Sequence, residues 1–190
     1  MKKDVESLDM VEEVSSTTER YLKVNIELSK DKFENVENTA EINNISSSSI
    51  FLACLYILLY KFSYNSNIII DSSISFIDFA KSMNADILTS NEAFTLFDVM
   101  LSCKKSSIID TPENCNLHFI IDDENDTLSL EFNKDIFTLA YAKSILAHFL
   151  FIIKQAFKNS NIKISDFNII TPEECTLLEK FNDEFSRYAR

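Results

Sequence analysis

The sequence predicts an α/β domain, a two-layer sandwich in which helices pack on one mixed sheet of about four or five strands. Three observations predict this class. Short apolar runs with strand character alternate along the chain with segments of helical periodicity. One helical segment, IFLACLYILLYKF, is apolar almost all round, as expected of a buried helix. Another, over residues 138–158, is long, amphipathic and suited to covering a sheet.

The strand predictions come from apolar residues that alternate with polar ones or form short runs. The predicted strands cover residues 21–28, 68–70, 94–103, 116–122 and 127–133. The last two enclose Asp123-Glu124-Asn125-Asp126, which we interpret as a hairpin turn. The neighbouring acidic residues also suggest a calcium loop. However, the loop lacks the required glycine, and position twelve counted from Asp122 is Asn133 rather than Glu.

The helix predictions rest on spacing and on capping residues. The predicted helices cover residues 33–44, 49–62, 74–83, 138–158 and 172–185. The serines at 46–49 offer N-cap hydroxyls to the second helix. At the last helix, Thr171 stands at the N-cap, Pro172 at N1 and Glu174 at N3, which is the pattern of a capping box.

Charge and composition exclude several classes of function. The 190-residue chain has 46% hydrophobic residues, which is typical of a globular domain, and a net charge of −12. This charge argues against binding to nucleic acid or to an anionic membrane, because both need a basic surface. The longest nearly apolar run, residues 50–60, is too short to span a bilayer.

Glycine is absent from the chain. The sequence therefore cannot form a G-x-G-x-x-G dinucleotide turn, a P-loop or a G-x-S-x-G nucleophile elbow. Backbone positions with positive φ must fall to Asn or Asp, which tolerate the left-handed region better than other residues.

The four cysteines, Cys54, Cys103, Cys115 and Cys175, form no C-x-x-C pair, and no Cys/His cluster has zinc spacing. We expect reduced, buried thiols. The first residues carry no apolar signal region, and together these features favour the cytoplasm.

The two histidines are the remaining candidates for chemistry. His148 lies on the apolar face of the predicted 138–158 helix and is expected to be a packed core residue. His118 lies in a strand and is expected to have a cross-strand role at the surface. No spacing supports a Ser-His-Asp or Cys-His site. The sequence thus assigns no catalytic, cofactor-binding or metal-binding residue.

The domain organisation has three predicted parts. Residues 1–18 are polar and acidic and are interpreted as a flexible lead-in, with docking to a partner as a second interpretation. Residues 19–170 form the α/β domain. Residues 171–190 form a terminal helix and the start of a linker.

The order of segments resembles a known family. TLSLEFNKDIF, TLAYAKSILAHFLFIIKQAFKN and SDFNIITPEECTLLEKFND occur in the order found at the C-terminal end of a condensation domain of nonribosomal peptide synthetases. Upstream, RYLKVNIELS and ISSSSIFLACLYILLYKFSYNSNIIIDSS resemble the first strand, buried helix and central strand of the C-terminal lobe. FIDFAKSMNADILTSNEAFTLFDVMLSCKK resembles a later core segment, and EKFNDEFSRYAR is similar to the linker into an adenylation domain. The resemblance covers about residues 20–188 and implies one lobe of the chloramphenicol-acetyltransferase-like fold.

Two departures from the family bear on activity. The family's His-His-x-x-x-Asp-Gly signature has no counterpart, because the two histidines are 30 residues apart and glycine is absent. The insertion that crosses to the other lobe is also missing, since Ser72-Ser73 leads almost directly into the predicted 74–83 helix. No catalytic position of the family is therefore carried over.

The resemblance implies a non-catalytic, partial condensation-like domain that acts as a structural or docking platform. Its partners would be an adenylation domain or a phosphopantetheinylated carrier protein, with no cofactor. An alternative is half of a split condensation enzyme that a separate chain completes with the His-His-x-x-x-Asp-Gly lobe. A third interpretation is an unrelated α/β interaction module whose helix pattern imitates the family.

Overall fold

The structure is a computed structural model that describes residues 12–16, 19–28, 30–62, 68, 70–83, 93–96, 98–104 and 115–188. The chain forms two compact units. One unit comprises Met1–Asn35 and Asp86–Lys143 and contains the sheet. The other comprises Val36–Ala85 and Ser144–Arg190 and consists mainly of helices.

The described residues form six strands, which make one mixed sheet. The strands are β1 (Glu12–Ser16), β2 (Tyr21–Glu27), β3 (Ala93–Leu96), β4 (Val99–Lys104), β5 (Leu117–Asp122) and β6 (Thr127–Asn133). Their order in the sheet is β1-β2-β6-β5-β4-β3. Neighbouring strands are antiparallel except β4 and β5, which are parallel. The predicted α/β class with one mixed sheet is confirmed.

The helices of the described segments begin and end close to the predicted residues. They are α1 (Lys30–Asn43), α2 (Ser47–Phe62), α3 (Phe76–Ser82), α4 (Leu139–Lys158) and α5 (Pro172–Tyr188), with a short 3-10 turn at Ile164–Asp166. The predicted serine cap of α2 is confirmed, because the Ser46 hydroxyl accepts a hydrogen bond from the Ser49 backbone N–H at 3.1 Å. The predicted burial of α2 is also confirmed, with an unbroken buried run from Ser49 to Leu55.

The two faces of the sheet differ in chemistry, since side chains that are paired in register share a face. One face is apolar. It carries Leu22, Val24, Ile26, Val99, Leu101, Leu117, Phe119, Ile121, Leu128, Leu130 and Phe132. The opposite face, called here the polar sheet face, carries Tyr21, Lys23, Asn25, Met100, Ser102, His118, Ile120, Ser129, Glu131 and Asn133. Most side chains of the polar sheet face are nevertheless buried.

Within the helical unit, backbone hydrogen bonds tie α3 to the segment that follows α4. The Phe76 N–H donates to the Ile162 carbonyl at 2.8 Å, and the Ile77 N–H donates to the Ser160 carbonyl at 3.0 Å. The Phe76 ring also lies 5.8 Å from the Phe167 ring. These contacts hold the connection between α4 and α5 in a defined course.

Three details of the strand prediction are corrected. The lead-in predicted over residues 1–18 contains β1, whose polar residues do not alternate with enough apolar ones to predict a strand. Ile68 and Ile70 are buried but lie outside any strand, because an apolar run predicts burial rather than strand pairing.

The strand predicted over residues 94–103 is two antiparallel strands, with a turn at Asp98 that apolarity alone does not mark. The connections predicted at 85–91 and 106–114 lie outside the described residues.

Positive φ angles fall on asparagine and aspartate, as the absence of glycine requires. In the described part of the chain, Asn44, the first residue after α1, has φ of 54°, and Asp126 in the β5–β6 turn has φ of 52°. Short polar side chains tolerate this left-handed region better than bulky ones.

We expect Asp126→Val to lower the free energy of unfolding by about 1–2 kcal/mol, because a β-branched residue fits the left-handed region poorly. Asp126→Gly should leave stability unchanged or raise it, since glycine adopts this conformation without steric cost. Urea denaturation monitored by circular dichroism measures both. Glu124→Val, at an exposed position of the same turn, is the control. Equal stability of the Asp126→Val and Asp126→Gly variants would contradict the argument.

Candidate functional site

A serine and a histidine form a buried pair at the centre of the polar sheet face. Ser102 lies on β4 and His118 on the parallel neighbour β5. The register sets Met100 opposite His118, so Ser102 is two residues further along the same face. The Ser102 Oγ lies 2.6 Å from the His118 Nε2, and both residues have 0% exposure. A buried hydroxyl and a buried imidazole thus satisfy each other, which lowers the cost of enclosing them.

Glu131 extends this pair across a third strand. It lies on β6 directly opposite His118, and its Oε2 is 3.9 Å from the His118 Nδ1. The side chain of Glu131 is 13% exposed. The order of groups is therefore serine, histidine and carboxylate, with the carboxylate at ion-pair range rather than at hydrogen-bond distance from the ring.

This order matches that of a nucleophile, a base and an orienting acid. A nucleophile must reach a substrate, however, and neither Ser102 nor His118 has exposed surface. The arrangement can hold the strands in register but offers a substrate no access in this conformation. The prediction that His118 has a surface role is wrong in its location, although its cross-strand contacts are as expected.

His148 is a buried residue of α4, as predicted. Its ring lies 5.1 Å from the Phe62 ring of α2 in an edge-on contact, and the residue is 7% exposed. Its Nε2 lies 2.9 Å from both carboxylate oxygens of Glu174 at the start of α5. Because a carboxylate only accepts hydrogen bonds, Nε2 is the donor. Sequence reasoning missed this pairing, since the two residues are 26 positions apart.

The same carboxylate completes the predicted capping box of α5. The Thr171 backbone N–H donates to the Glu174 Oε2 at 2.9 Å, and the Glu174 N–H donates to the Thr171 Oγ1 at 3.3 Å. Burial raises the pKa of the Glu174 carboxyl, but the bonds from Thr171 and His148 lower it by more, so its net pKa lies below the usual value. The carboxylate form therefore fastens the first turn of α5.

Beyond this first turn, α5 presents large apolar side chains to solvent. Leu177, Leu178 and Phe181, called here the α5 stripe, are 53%, 52% and 59% exposed. Together with Glu174 they stand at i, i+3, i+4 and i+7, the spacing of one face of a helix. Ile170, just before the helix, is also exposed. Contiguous exposed apolar side chains of this kind are typical of interaction surfaces.

The cysteines divide by burial. Cys54 and Cys115 are buried, and burial raises the pKa of both thiols, that of Cys115 to about 11. Cys103 is half-buried, whereas Cys175 on α5 is exposed, which corrects the prediction of burial for that residue. The raised pKa of the Cys115 thiol keeps it protonated and poorly nucleophilic at neutral pH.

Two other kinds of site are a metal-binding cluster and a helix that crosses a membrane. The described residues contain no group of three or more His, Cys, Asp or Glu side chains that could hold a metal ion. Within the described segments, no single helix combines the length and apolarity needed to cross a bilayer. Glu34–Asn43 and α2 together reach the required length and composition, but they bend by 103° where they meet.

No protein-family model matches this sequence, and no curated protein matches it. Solved structures match at the level of the fold. The first condensation domain of the CDA synthetase aligns with a TM-score of 0.59 and 9% identity, over 80% of this chain and 48% of that one. The X-domain from teicoplanin biosynthesis aligns with a TM-score of 0.58 and 11% identity, over 84% and 53%.

A four-domain nonribosomal peptide synthetase, AB3403, aligns with a TM-score of 0.59 and 11% identity, over 84% of this chain and 18% of that one. By contrast, the chain spans about half the length of the individual condensation domain and of the X-domain that it matches. It has the fold of part of a condensation domain, as the sequence resemblance predicts.

We expect Ser102→Ala to lower the free energy of unfolding by about 1–3 kcal/mol, because it leaves the buried His118 Nε2 without its hydroxyl partner. A double-mutant cycle with His118→Phe isolates the pair. Once the imidazole is replaced, removing the hydroxyl should cost less. Denaturant unfolding of the four proteins measures the coupling, and strictly additive effects would contradict the pairing.

The capping carboxylate predicts an acid-sensitive start of α5. A carboxyl whose pKa is lowered by folding stabilises the fold above its ordinary pKa of 4.5, and this contribution disappears as the pH falls through the lower folded value. We expect the amide NMR signals of Thr171 and Glu174 to shift over this acidic range. Glu174→Gln should abolish the titration, whereas the exposed neighbour variant Glu173→Gln should retain it. Titration that persists in Glu174→Gln would refute this assignment.

Proposed function

We propose that this chain is a non-catalytic, partial condensation-like domain of a nonribosomal peptide synthetase. It serves as a structural or docking platform for a neighbouring adenylation domain or a phosphopantetheinylated carrier protein. The observation that carries the proposal is a condensation-domain fold that covers about half of such a domain. This chain also lacks a His-His-x-x-x-Asp-Gly signature, since its histidines are His118 and His148 and it has no glycine.

The requirements of condensation support the non-catalytic role. A base must reach the attacking amine while both carrier-bound substrates are held in a productive geometry. His118 is enclosed and bonded to Ser102, and His148 is buried and bonded to Glu174. Neither imidazole is placed to accept a proton from a substrate, which supports a platform rather than a catalyst.

The platform role draws support from the surface of the helical unit. The α5 stripe places apolar side chains in solvent on the last described helix, and the first turn of this helix is fastened by Thr171 and His148. A helix that is held at one end and apolar along its exposed side is suited to contact with another domain.

We also place the domain in the cytoplasm. Cys54 and Cys115 are buried thiols rather than disulfide partners, which fits a compartment that keeps thiols reduced.

An assay of amide formation tests the non-catalytic part of the proposal. The purified chain is mixed with two carrier proteins, each loaded with an aminoacyl group, and dipeptidyl-carrier is quantified by mass spectrometry. We expect no product above the carrier-only background, and a complete two-lobed condensation domain serves as the positive control. Turnover by this chain alone, lost in His118→Phe or His148→Phe, would overturn the proposal.

One observation favours the split-enzyme alternative, namely that this chain aligns with only about half of the individual condensation domain and of the X-domain. In this version a separate chain supplies the His-His-x-x-x-Asp-Gly lobe. Adding such a lobe to the assay distinguishes the two functions. Amide formation that requires both chains would favour the split enzyme over the platform.

A further inference from the structure

Helix α4 holds the chain at two places where it leads into α5. The Gln155 Nε2 donates to the Asn168 carbonyl at 2.8 Å, and the Gln155 Oε1 accepts from the Asn168 N–H at 2.9 Å. About two turns earlier on α4, the His148 Nε2 donates to Glu174, whose carboxylate also closes the capping box with Thr171. These contacts, called here the α4 clamp, fix the first turn of α5.

The burial of the imidazole makes release of the α4 clamp unfavourable. His148 is buried, and its Nδ1 has no hydrogen-bond partner among the described residues. Glu174 therefore satisfies the Nε2 position only. If the two side chains separated, both nitrogens of a buried ring would lack partners, which is costly.

The turns of α5 beyond the α4 clamp lack the usual source of helix stability. In folded proteins a helix is stabilised mainly by packing of its apolar face, and short isolated helices are marginal in water. Every side chain from Cys175 to Asn182 is exposed, including the α5 stripe. The sequence also sets Glu179 and Asp183 at i and i+4, where like charges repel. These turns therefore depend on an existing first turn, because the nucleus is the costly step of helix formation.

We infer that the α4 clamp nucleates α5, so that the distal turns fold only while His148 and Gln155 hold the first turn. A preformed turn removes the unfavourable step, and each further residue then adds one hydrogen bond. The α4 clamp thereby controls whether Leu177, Leu178 and Phe181 come together on one face. This device concerns the folding of the chain itself, and it does not depend on the proposed function.

Hydrogen exchange of the full chain, resolved by residue with NMR, tests the inference. Glu174→Ala removes the clamp's carboxylate but introduces the residue of highest helix propensity. We nevertheless expect exchange of the Glu179, Lys180 and Phe181 amides to become about fivefold faster or more, because loss of the cap populates the open helix. Glu173→Ala makes the same change at an exposed neighbour, and its effect should be about twofold or less.

Two variants on α4 separate the clamp from the local cap. His148→Phe and Gln155→Ala leave the sequence of α5 intact, and each should speed exchange of the same three amides. The buried Phe119 and Leu130 of the sheet unit report on global unfolding. Their amides should keep the native exchange rates in every variant, which also verifies that the variant is folded.

Four outcomes would overturn the inference. The first is an effect of Glu174→Ala on the distal amides no larger than that of Glu173→Ala. The second is an effect of Glu174→Ala that neither α4 variant reproduces, since local capping alone would then begin the helix. The third is acceleration that extends equally to Phe119 and Leu130, which would indicate global destabilisation. The fourth is exchange of the distal amides in the native chain at the rate of an unstructured peptide.

Discussion

The register between β4, β5 and β6 is the constraint on which the sheet depends. Strand side chains alternate between faces, so a slip of one residue moves every side chain to the other face. Such a slip on β5 would carry His118 onto the apolar face and Phe119 onto the polar one. A buried imidazole without a partner is costly, and its bond to Ser102 exists only in the native register. The pair therefore disfavours alternative registers in addition to stabilising the native one.

Local patterns predicted the helices well because each signal lies within the segment it describes. The continuous apolarity of α2 predicts burial, and the spacing along α4 predicts an amphipathic helix. The capping box of α5 needs only Thr171 and Glu174, three residues apart. Strand β1 escaped prediction because an edge strand needs no apolar face, and Val14 in its centre is 46% exposed. Its partner β2, rather than its own composition, makes it a strand.

The buried polar contacts could not be predicted because they depend on strand order. Nothing in the sequence states that β4 and β5 are parallel neighbours, and that adjacency alone brings Ser102 to His118 across 16 positions. The bond between His148 and Glu174 likewise requires α4 and α5 to meet. Periodicity correctly predicted that His148 is buried, but burial of a polar group indicates only that a partner is needed. The partner's identity is a tertiary property.

The Glu174 carboxylate both caps α5 and connects α5 to α4. It accepts a hydrogen bond from the Thr171 N–H at the start of α5. It also accepts one from the His148 Nε2 of α4, which attaches the first turn of α5 to the helical unit. The Phe62 ring beside the imidazole restricts its orientation. A helix fastened through polar groups at its start does not need its apolar side chains for attachment to its own unit. The exposed α5 stripe is thereby left available for another surface, and it is this separation of attachment from contact that makes a platform role physically reasonable.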